Sequence, residues 1–291
     1  MSNFTEHESL HEYCTYRTGG QARYFIRPKD TQELKTALVW ADSMKLPHEV
    51  IGYGANILVS DNGYDGLIIC LRDFEKTCLR SGNHLLIGAG VLLNDAILYA
   101  AEQGLAGMEA LSGIPGTVGG AVKMNAGAYG TEMKDIVTRI NVLTLEDGTL
   151  MERVYTNDEA LFDYRKADGL LGKLVLGVDI TLTPGDKDTI LAKRKEILKQ
   201  RTEKQPLNYP SCGSVFKRPT GNFAGTLIEQ CGLKGYTIGG AQVSEKHANF
   251  IVNLGDATSS DIYNLITHVK KTVFIKTKVM LEEEVKFIGN V

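Results

Sequence analysis

Gly113-Ile-Pro-Gly-Thr-Val-Gly-Gly-Ala-Val-Lys-Met-Asn-Ala-Gly-Ala-Tyr-Gly130 is the stretch on which the reading of this chain turns. Six of its eighteen residues are glycine. Glycine loses the most backbone freedom on folding and packs nothing, so that density needs a physical reason. A flexible linker is a poor one, because Ile114, Val118, Val122 and Met124 are apolar and serine is absent. Close approach is a better one. A backbone without Cβ atoms can lie against a ligand and aim its N–H groups at phosphate oxygens. Pro115 stiffens the entry, as a preformed cradle requires. The competing reading is a tight core crossing between strands.

A second glycine turn lies upstream, Gly52-Tyr-Gly-Ala-Asn-Ile-Leu58, at the end of a strand beginning at Glu49. It fails the dinucleotide fingerprint GxGxxG, since Ile57 stands where the third glycine belongs, and no long helix pattern follows. A Rossmann unit is therefore not expected. Between the two turns, Gly66–Leu71 and His84–Gly90 read as strands, and Ala96–Gln103 as a helix ended by Gly104. Before them, Ala22–Arg27 reads as a strand and Leu34, Ala37, Leu38 and Ala41 as one helix face, with capping-box spacing at Asp30 and Glu33. After them come a hairpin at Asp147-Gly148, a strand over Leu174–Leu182 and a helix from Asp188 through Arg201. Ile190, Leu191, Ile197 and Leu198 share its apolar face; Lys193, Arg194, Lys195, Lys199 and Arg201 read as a solvated basic one.

Gln205-Pro-Leu-Asn-Tyr-Pro210 breaks the pattern and marks a domain boundary. Beyond it lie a Ser/Gly/Lys turn at 211–219, a helix from Ala224 to Cys231, a strand after His247, an amphipathic helix capped near Ser259 or Ser260, and a last strand over Val279–Gly289. Strand alternation would put Glu282 and Glu284 on one face and Glu283 on the other.

At 291 residues the chain exceeds one comfortable core. A net charge of −3 argues against nucleic-acid binding through a basic face. Five scattered cysteines without a CxxC pair suit reduced thiols in the cytoplasm. No signal peptide and no membrane-spanning run is read. His7-Glu-Ser-Leu-His11 matches HExxH but lies in a polar terminal stretch with little to bury, so no metal is expected.

Taken together the motifs resemble the UDP-N-acetylenolpyruvoylglucosamine reductase (MurB) family over nearly the whole chain. The resemblance rests on Thr18-Gly-Gly20, Gly52-x-Gly-Ala-Asn-Ile-Leu-Val59, Gly88-Ala-Gly90, Gly113-Ile-Pro-Gly-Thr-Val-Gly-Gly-Ala121, Met124-Asn-Ala-Gly-Ala-Tyr-Gly130, Tyr164-Arg165, Gly213-Ser-x-Phe-Lys217, His247-Ala-Asn-Phe250 and Glu282-x-Glu-Val-Lys-Phe-Ile-Gly289. The length and the short 211–250 segment look like the compact second type, which lacks an inserted loop bearing a substrate-binding tyrosine. The resemblance implies an α+β fold: a two-part FAD-binding domain of the vanillyl-alcohol-oxidase (PCMH-type) class over 1–204, with subdomains at about 1–80 and 81–204. A smaller α+β substrate domain would span 205–278, and a C-terminal strand at 279–291 would return Glu284 to the active site.

Residues implied for FAD are Gly52, Tyr53, Gly54, Ala55, Asn56, Ile57 and Leu58; Gly88, Ala89 and Gly90; and Gly113, Ile114, Pro115, Gly116, Thr117, Gly119, Gly120, Ala121, Asn125 and Gly127. Some members of this fold class attach flavin through a histidine in the first turn. No histidine lies between 49 and 83 here, so non-covalent FAD is expected. NADPH is the implied reductant. Ser214 is the implied proton donor to carbon, with Arg165 and Glu284 stabilising an enolate-like intermediate. Arginine suits a carboxylate, being a permanent bidentate cation. An isolated carboxylate would repel an enolate, so Glu284 is either protonated or acts through Arg165 or a water. Lys217 either lowers the serine pKa or binds a phosphate. Tyr164, Lys217, Arg218, Gln230, His247 and Asn249 are candidates for the nucleotide sugar, with His247 and Asn249 equally readable as core polar groups. Two positions depart from the family pattern: Ala167 where a serine is usual, and Glu283 where a proline is. A flavin oxidase acting on a sugar or lactone is the alternative activity. A monomer without nucleic-acid or membrane partners is expected.

Overall fold

The computed structural model describes residues 4–290. Its organising strand is Tyr64–Cys70, whose residues from Leu67 alternate between two separate cores. Leu67 and Ile69 enter one core, with Leu34, Leu38, Leu85 and Ile87. Ile68 and Cys70 enter the other, with Leu58, Val215, Phe216, Ile266 and Leu281. A strand buried on both faces is a continuous apolar run rather than an alternating one, which is why Leu67-Ile-Ile-Cys-Leu71 reads as it does. It lies in a four-stranded sheet ordered Thr5–Ser9, Gln21–Ile26, Tyr64–Cys70, His48–Ile51, antiparallel at the first pair and parallel at the others.

The first core is closed by a five-stranded antiparallel sheet, ordered Thr149–Thr156, Val137–Glu146, Leu174–Thr181, His84–Gly88, Cys78–Ser81. Helices α1 (Thr31–Ser43) and α2 (Leu93–Glu102) bury their apolar faces in that core. Asp30 caps α1 by accepting the Glu33 N–H at 2.8 Å, whereas Glu33 reaches back to the Lys29 N–H rather than to that of Asp30. The short helix α3 (Val118–Lys123) carries the middle of the long glycine stretch. Helix α4 (Lys187–Lys204) packs on α2 and the turn Glu109–Leu111. Its basic face is not wholly solvated as the pattern suggested: Arg201 is buried, because that turn of α4 lies over Gly113.

The second core does not divide at residue 204. Leu10, Cys14, Tyr16 and Leu58 share it with the apolar residues of α5 (Ala224–Gln230), of α6 (Ser259–Thr277), and of the small sheet Thr237–Ile238, Ala241–Val243, Ile251–Asn253. The final strand is shorter than the sequence pattern suggested. Only Lys286–Ile288 is extended in a ladder, parallel to Ile57–Val59. Glu282, Glu283 and Glu284 pair with Lys217, Lys270 and Arg165 respectively, and Glu283 stands opposite Phe216 in an isolated antiparallel bridge. Thr258, rather than either serine, caps α6, in a capping box with Asp261.

Asp61, just after the strand Ile57–Val59, accepts the N–H groups of Ser259 at 2.8 Å and Ser260 at 2.9 Å and so ties the two halves of the chain. Burial pushes its carboxyl up, but the bonds from Ser259 and Ser260 outweigh this and hold it below the usual value. A carboxylate depressed on folding contributes stability above its unfolded pKa, near 3.9, and loses it as pH falls through the folded value. Asp61→Ala is expected to cost about 1 kcal/mol near neutral pH, on the scale of a lost helix cap at a solvent-screened site. Thermal unfolding of both proteins across pH 2–7 should show the difference in Tm shrinking below about pH 4.

Candidate active site

The N-terminal glycine turn is built for close contact. A Cβ on Gly54 would meet the Tyr13 carbonyl oxygen at 1.8 Å, and one on Gly52 the Thr117 hydroxyl at 2.6 Å. Among the described residues, the N–H groups of Tyr53, Gly54, Ala55 and Asn56 donate to no protein acceptor. Successive unpartnered N–H groups in a turn form an anion-binding concavity. The Asn56 side chain is otherwise engaged: its amide donates to the Glu284 carbonyl at 3.0 Å.

The long stretch serves both readings weighed for it. Gly119 is a packing glycine, since its Cβ would strike that of Ala89 at 2.8 Å and its N–H is taken by the Ala89 carbonyl. Val118 N–H goes to Val91, and Gly120 N–H makes a 3.3 Å bond to the Thr117 hydroxyl. Gly116, by contrast, has φ +132° with open space before it, and the Gly116 and Thr117 N–H groups have no protein acceptor among the described residues. Gly88 and Gly90 let the Glu75 and Phe74 carbonyls approach, and so answer to core packing. Leu58 is wholly buried in the second core. Asn125 is buried too; both N–H groups of its amide are taken, by Glu132 and the Asp163 carbonyl, and its Oδ1 accepts the Lys134 N–H.

Gly52, Ala89, Thr117, Gly119 and Gly120 line a cavity of about 350 Å³ together with His48–Ile51, Lys123 and Gly172–Val175. Lys123 and the 172–175 segment were not singled out from sequence. Lys123 enters because α3 carries it over the cavity, where its Nζ donates to the carbonyls of Leu170 and Lys173.

A separate cleft of about 380 Å³ collects Tyr164, Arg165, Ser214, Arg218, His247, Asn249 and Glu284. Arg165 has φ +58°; its Nε lies 3.1 Å from Glu284 Oε1 in an ion pair, and its Nη2 donates to the Gly127 carbonyl at 3.2 Å. The pair is largely shielded, the side chains being 22% and 15% exposed. Burial raises the Glu284 pKa; Arg165 and Lys217 pull it back, and the net position stays above the usual carboxylate value. Glu284 is held at the backbone from two sides. Its N–H donates to the Val215 carbonyl at 2.8 Å, beside Ser214, while Asn56 takes its carbonyl. Half-buried Ser214 lines the cleft after Gly213, which has φ +80°.

The remaining candidates separate. The Tyr164 hydroxyl accepts the Arg218 N–H at 3.1 Å, and Arg218 stacks on Phe223 with 4.4 Å to the ring centroid. Asn249 clamps both backbone groups of Phe216, and so shapes the wall as a core polar group. Burial lowers the His247 pKa, and its Nδ1 takes the Asn249 N–H. Lys217 turns to Glu282 and Gln230 is exposed; neither lines the cleft. Thr226, Glu229, Lys234 and Lys246 do, although no sequence signal marked them. They lie on α5 and on loops whose convergence only the fold creates.

A family model for the C-terminal domain of UDP-N-acetylenolpyruvoylglucosamine reductase matches residues 205–288, and one for an FAD binding domain matches residues 22–153. The UDP-N-acetylenolpyruvoylglucosamine reductase of Listeria innocua is 44% identical over 283 residues, covering 97% of this chain and 94% of that protein. The chain belongs to this reductase family. The reductase of Caldicellulosiruptor bescii is 45% identical over 289 residues, 98% of this chain and 91% of the relative. The crystal structure of the reductase (MurB) from Thermus caldophilus superposes with a TM-score of 0.83 at 35% identity, covering 99% of both chains. The α+β architecture is thus that of an FAD-binding reductase, and the oxidase alternative is not favoured.

The unpartnered N–H groups at 53–56 and 116–117 fit the diphosphate of FAD. Gly120 is exposed at the cavity, and its Cβ would meet only the Thr117 hydroxyl, at 3.5 Å. Gly120→Val should therefore leave the fold intact by circular dichroism while weakening FAD binding at least about tenfold, the scale of a steric insertion into a packed site. Titration of the apoprotein with FAD, followed by flavin fluorescence, measures this.

Proposed function

We propose that the chain catalyses NADPH-dependent, FAD-mediated reduction of UDP-N-acetylglucosamine enolpyruvate to UDP-N-acetylmuramate, a step of peptidoglycan precursor synthesis. It would act as a monomer in the cytoplasm on small molecules alone. The observation that carries this reading is the shielded Arg165–Glu284 pair beside Ser214, in a cleft adjoining the glycine turns. The four arginines and lysines of that cleft (Arg165, Arg218, Lys234, Lys246) outnumber its two carboxylates (Glu229, Glu284), as an anionic nucleotide sugar requires.

FAD would be held by the 52–56 turn and the 116–120 segment; when bound it supplies hydride chemistry. The chain's own residues supply position and charge. Adding hydride to the vinyl carbon pushes negative charge toward the substrate carboxylate, where preplaced donors act best. Arg165 is steadied by its ion pair with Glu284 and by the N–H it donates to the Gly127 carbonyl, which orients the fork and leaves other N–H groups for that carboxylate. Glu284 is held against Arg165, so its charge is offset before it meets a developing enolate. This supports the reading in which it acts through the arginine. Ser214 presents a hydroxyl as proton donor to the neighbouring carbon. Lys217 and Gln230 are left out of direct contact in this reading, and Lys234 and Lys246 take their place toward the diphosphate.

Ser214→Ala should lower turnover by about 10²- to 10⁴-fold, the usual contribution of a positioned proton donor. Flavin reduction by NADPH should proceed at its normal rate, so stopped-flow absorbance separates the two half-reactions. A variant that reduces the enolpyruvyl substrate at full speed would remove Ser214 from the role. Arg165→Ala should also slow the second half-reaction. If it proves indifferent, a binding protein on the same scaffold is the better reading. In anaerobic mixing, NADPH-reduced protein should regain oxidised-flavin absorbance on adding the enolpyruvyl nucleotide sugar. Reoxidation by oxygen alone would instead point to an oxidase.

A further inference from the structure

One peptide of the first glycine turn is held by a charged side chain. Arg72, in the short turn Leu71–Asp73 after the organising strand, donates through Nη2 to the Tyr53 carbonyl at 2.7 Å. Its guanidinium lies between two rings, 4.9 Å from the centroid of Tyr13 and 4.7 Å from that of Tyr53. Its Nε is buried and has no hydrogen-bond partner among the described residues. A desolvated donor left unpaired is unfavourable, so the group is held in place by what its other atoms touch. Stacking on two aromatic faces and the bond to Tyr53 are those contacts.

The carbonyls of the turn are taken, whereas its N–H groups are not. The Gly52 carbonyl faces the Cys70 thiol at 3.8 Å. That of Gly54 accepts the Thr15 N–H at 3.0 Å and the Thr15 hydroxyl at 3.2 Å, and that of Asn56 accepts the Lys286 N–H at 3.0 Å. Among these donors only Arg72 is charged. The Tyr53 carbonyl and the Gly54 N–H belong to one planar peptide, so a group that fixes the first also fixes the second. A cationic donor at the carbonyl also polarises that N–H, as successive bonds in a chain do. Tyr13 supports the arrangement twice: its ring stacks on Arg72, and its carbonyl lies where a Gly54 Cβ would be, at 1.8 Å.

We propose that Arg72 is a positioning residue for the diphosphate of FAD: clasped between Tyr13 and Tyr53, it locks the 53–54 peptide so that the Gly54 N–H meets the anion already oriented and polarised. Gly52 lines the 350 Å³ cavity and Arg72 does not, so the arginine acts through the peptide rather than on the ligand. Donors that need no reordering bind at a smaller entropic penalty. A lysine would supply the charge, but neither the planar fork nor the stacking on two rings. This rests on the FAD reading of the turn and needs no nucleotide-sugar substrate.

The test titrates apoprotein with FAD by flavin fluorescence and records phosphorus NMR spectra of the loaded protein. Arg72→Leu should weaken FAD binding at least about tenfold, the scale of a lost hydrogen bond from a charged group. In the loaded variant the diphosphate resonances should move from their wild-type positions, which a loss of fold stability alone would not cause. Arg72→Lys should recover part of the affinity. Lys76→Gln, which removes an exposed charge four residues on, should change neither reading. Wild-type affinity or an unmoved phosphorus spectrum in Arg72→Leu overturns the proposal, as does an equal loss in Lys76→Gln. If Arg72→Leu does not fold, Arg72→Lys decides: weaker binding with displaced resonances supports the assignment, and wild-type values overturn it. Wild-type protein that takes up no FAD would sink the reading of the turn itself, whereas FAD binding indifferent to Arg72 would leave that reading standing and remove only the arginine's role.

Discussion

The backbone of residue 284 is clamped twice, and the rest of the site depends on that clamp. Its N–H is fixed by Val215 and its carbonyl by Asn56, so the turn read as flavin-binding, the Ser214 loop and the C-terminal segment share one residue as a reference point. The carboxylate of this residue meets an arginine from a fourth segment, itself steadied by Gly127 of the glycine stretch. An ion pair so shielded adds little to stability by itself, because desolvation offsets the attraction. Its value lies in geometry. Both charges are oriented before any ligand arrives, and neither needs to reorganise when negative charge develops beside them.

Most of the elements were legible in the sequence because they obey local rules. The faces of α1 and α2, the Asp147-Gly148 hairpin and the doubly buried run at 67–71 follow periodicity and turn chemistry. Where the reading failed, a tertiary contact had overruled a local pattern. Arg201 sits among lysines and an arginine on a helix with an exposed basic face, yet Gly113 removes the side chain that would have kept it out. The last strand reads as running over 279–289, but only Lys286–Ile288 pairs in a ladder, with Ile57–Val59.

The site was legible by a different route. Arg165, Ser214 and Glu284 are more than forty residues apart in sequence, and no spacing rule links them; the resemblance to a family named all three, and the fold lines one cleft with them. Glycine motifs proved ambiguous at single-residue resolution. Gly88, Gly90 and Gly119 answer to packing, whereas Gly116 and Gly120 face open space. Composition does not separate the two kinds, because both require the same absent side chain. Asn125 is ambiguous in the same way, since buried asparagine beside glycine suits either role, and both N–H groups of its amide serve the fold. Lys234 and Lys246 carried no local signal because nothing in their own neighbourhood makes them special.

The parallel pairing of Lys286–Ile288 with Ile57–Val59 has a consequence for how the molecule comes together. Asn56 and Glu284 are 228 positions apart, so the clamp closes a loop that takes in most of the chain. Such closures are entropically late, after the locally wired helices and hairpins have formed. A chain still folding can thus possess both glycine turns while its acidic partner for Arg165 is elsewhere. Maturation of the reaction centre is a seam-closing event, and catalytic competence reports that the two ends of the chain have met.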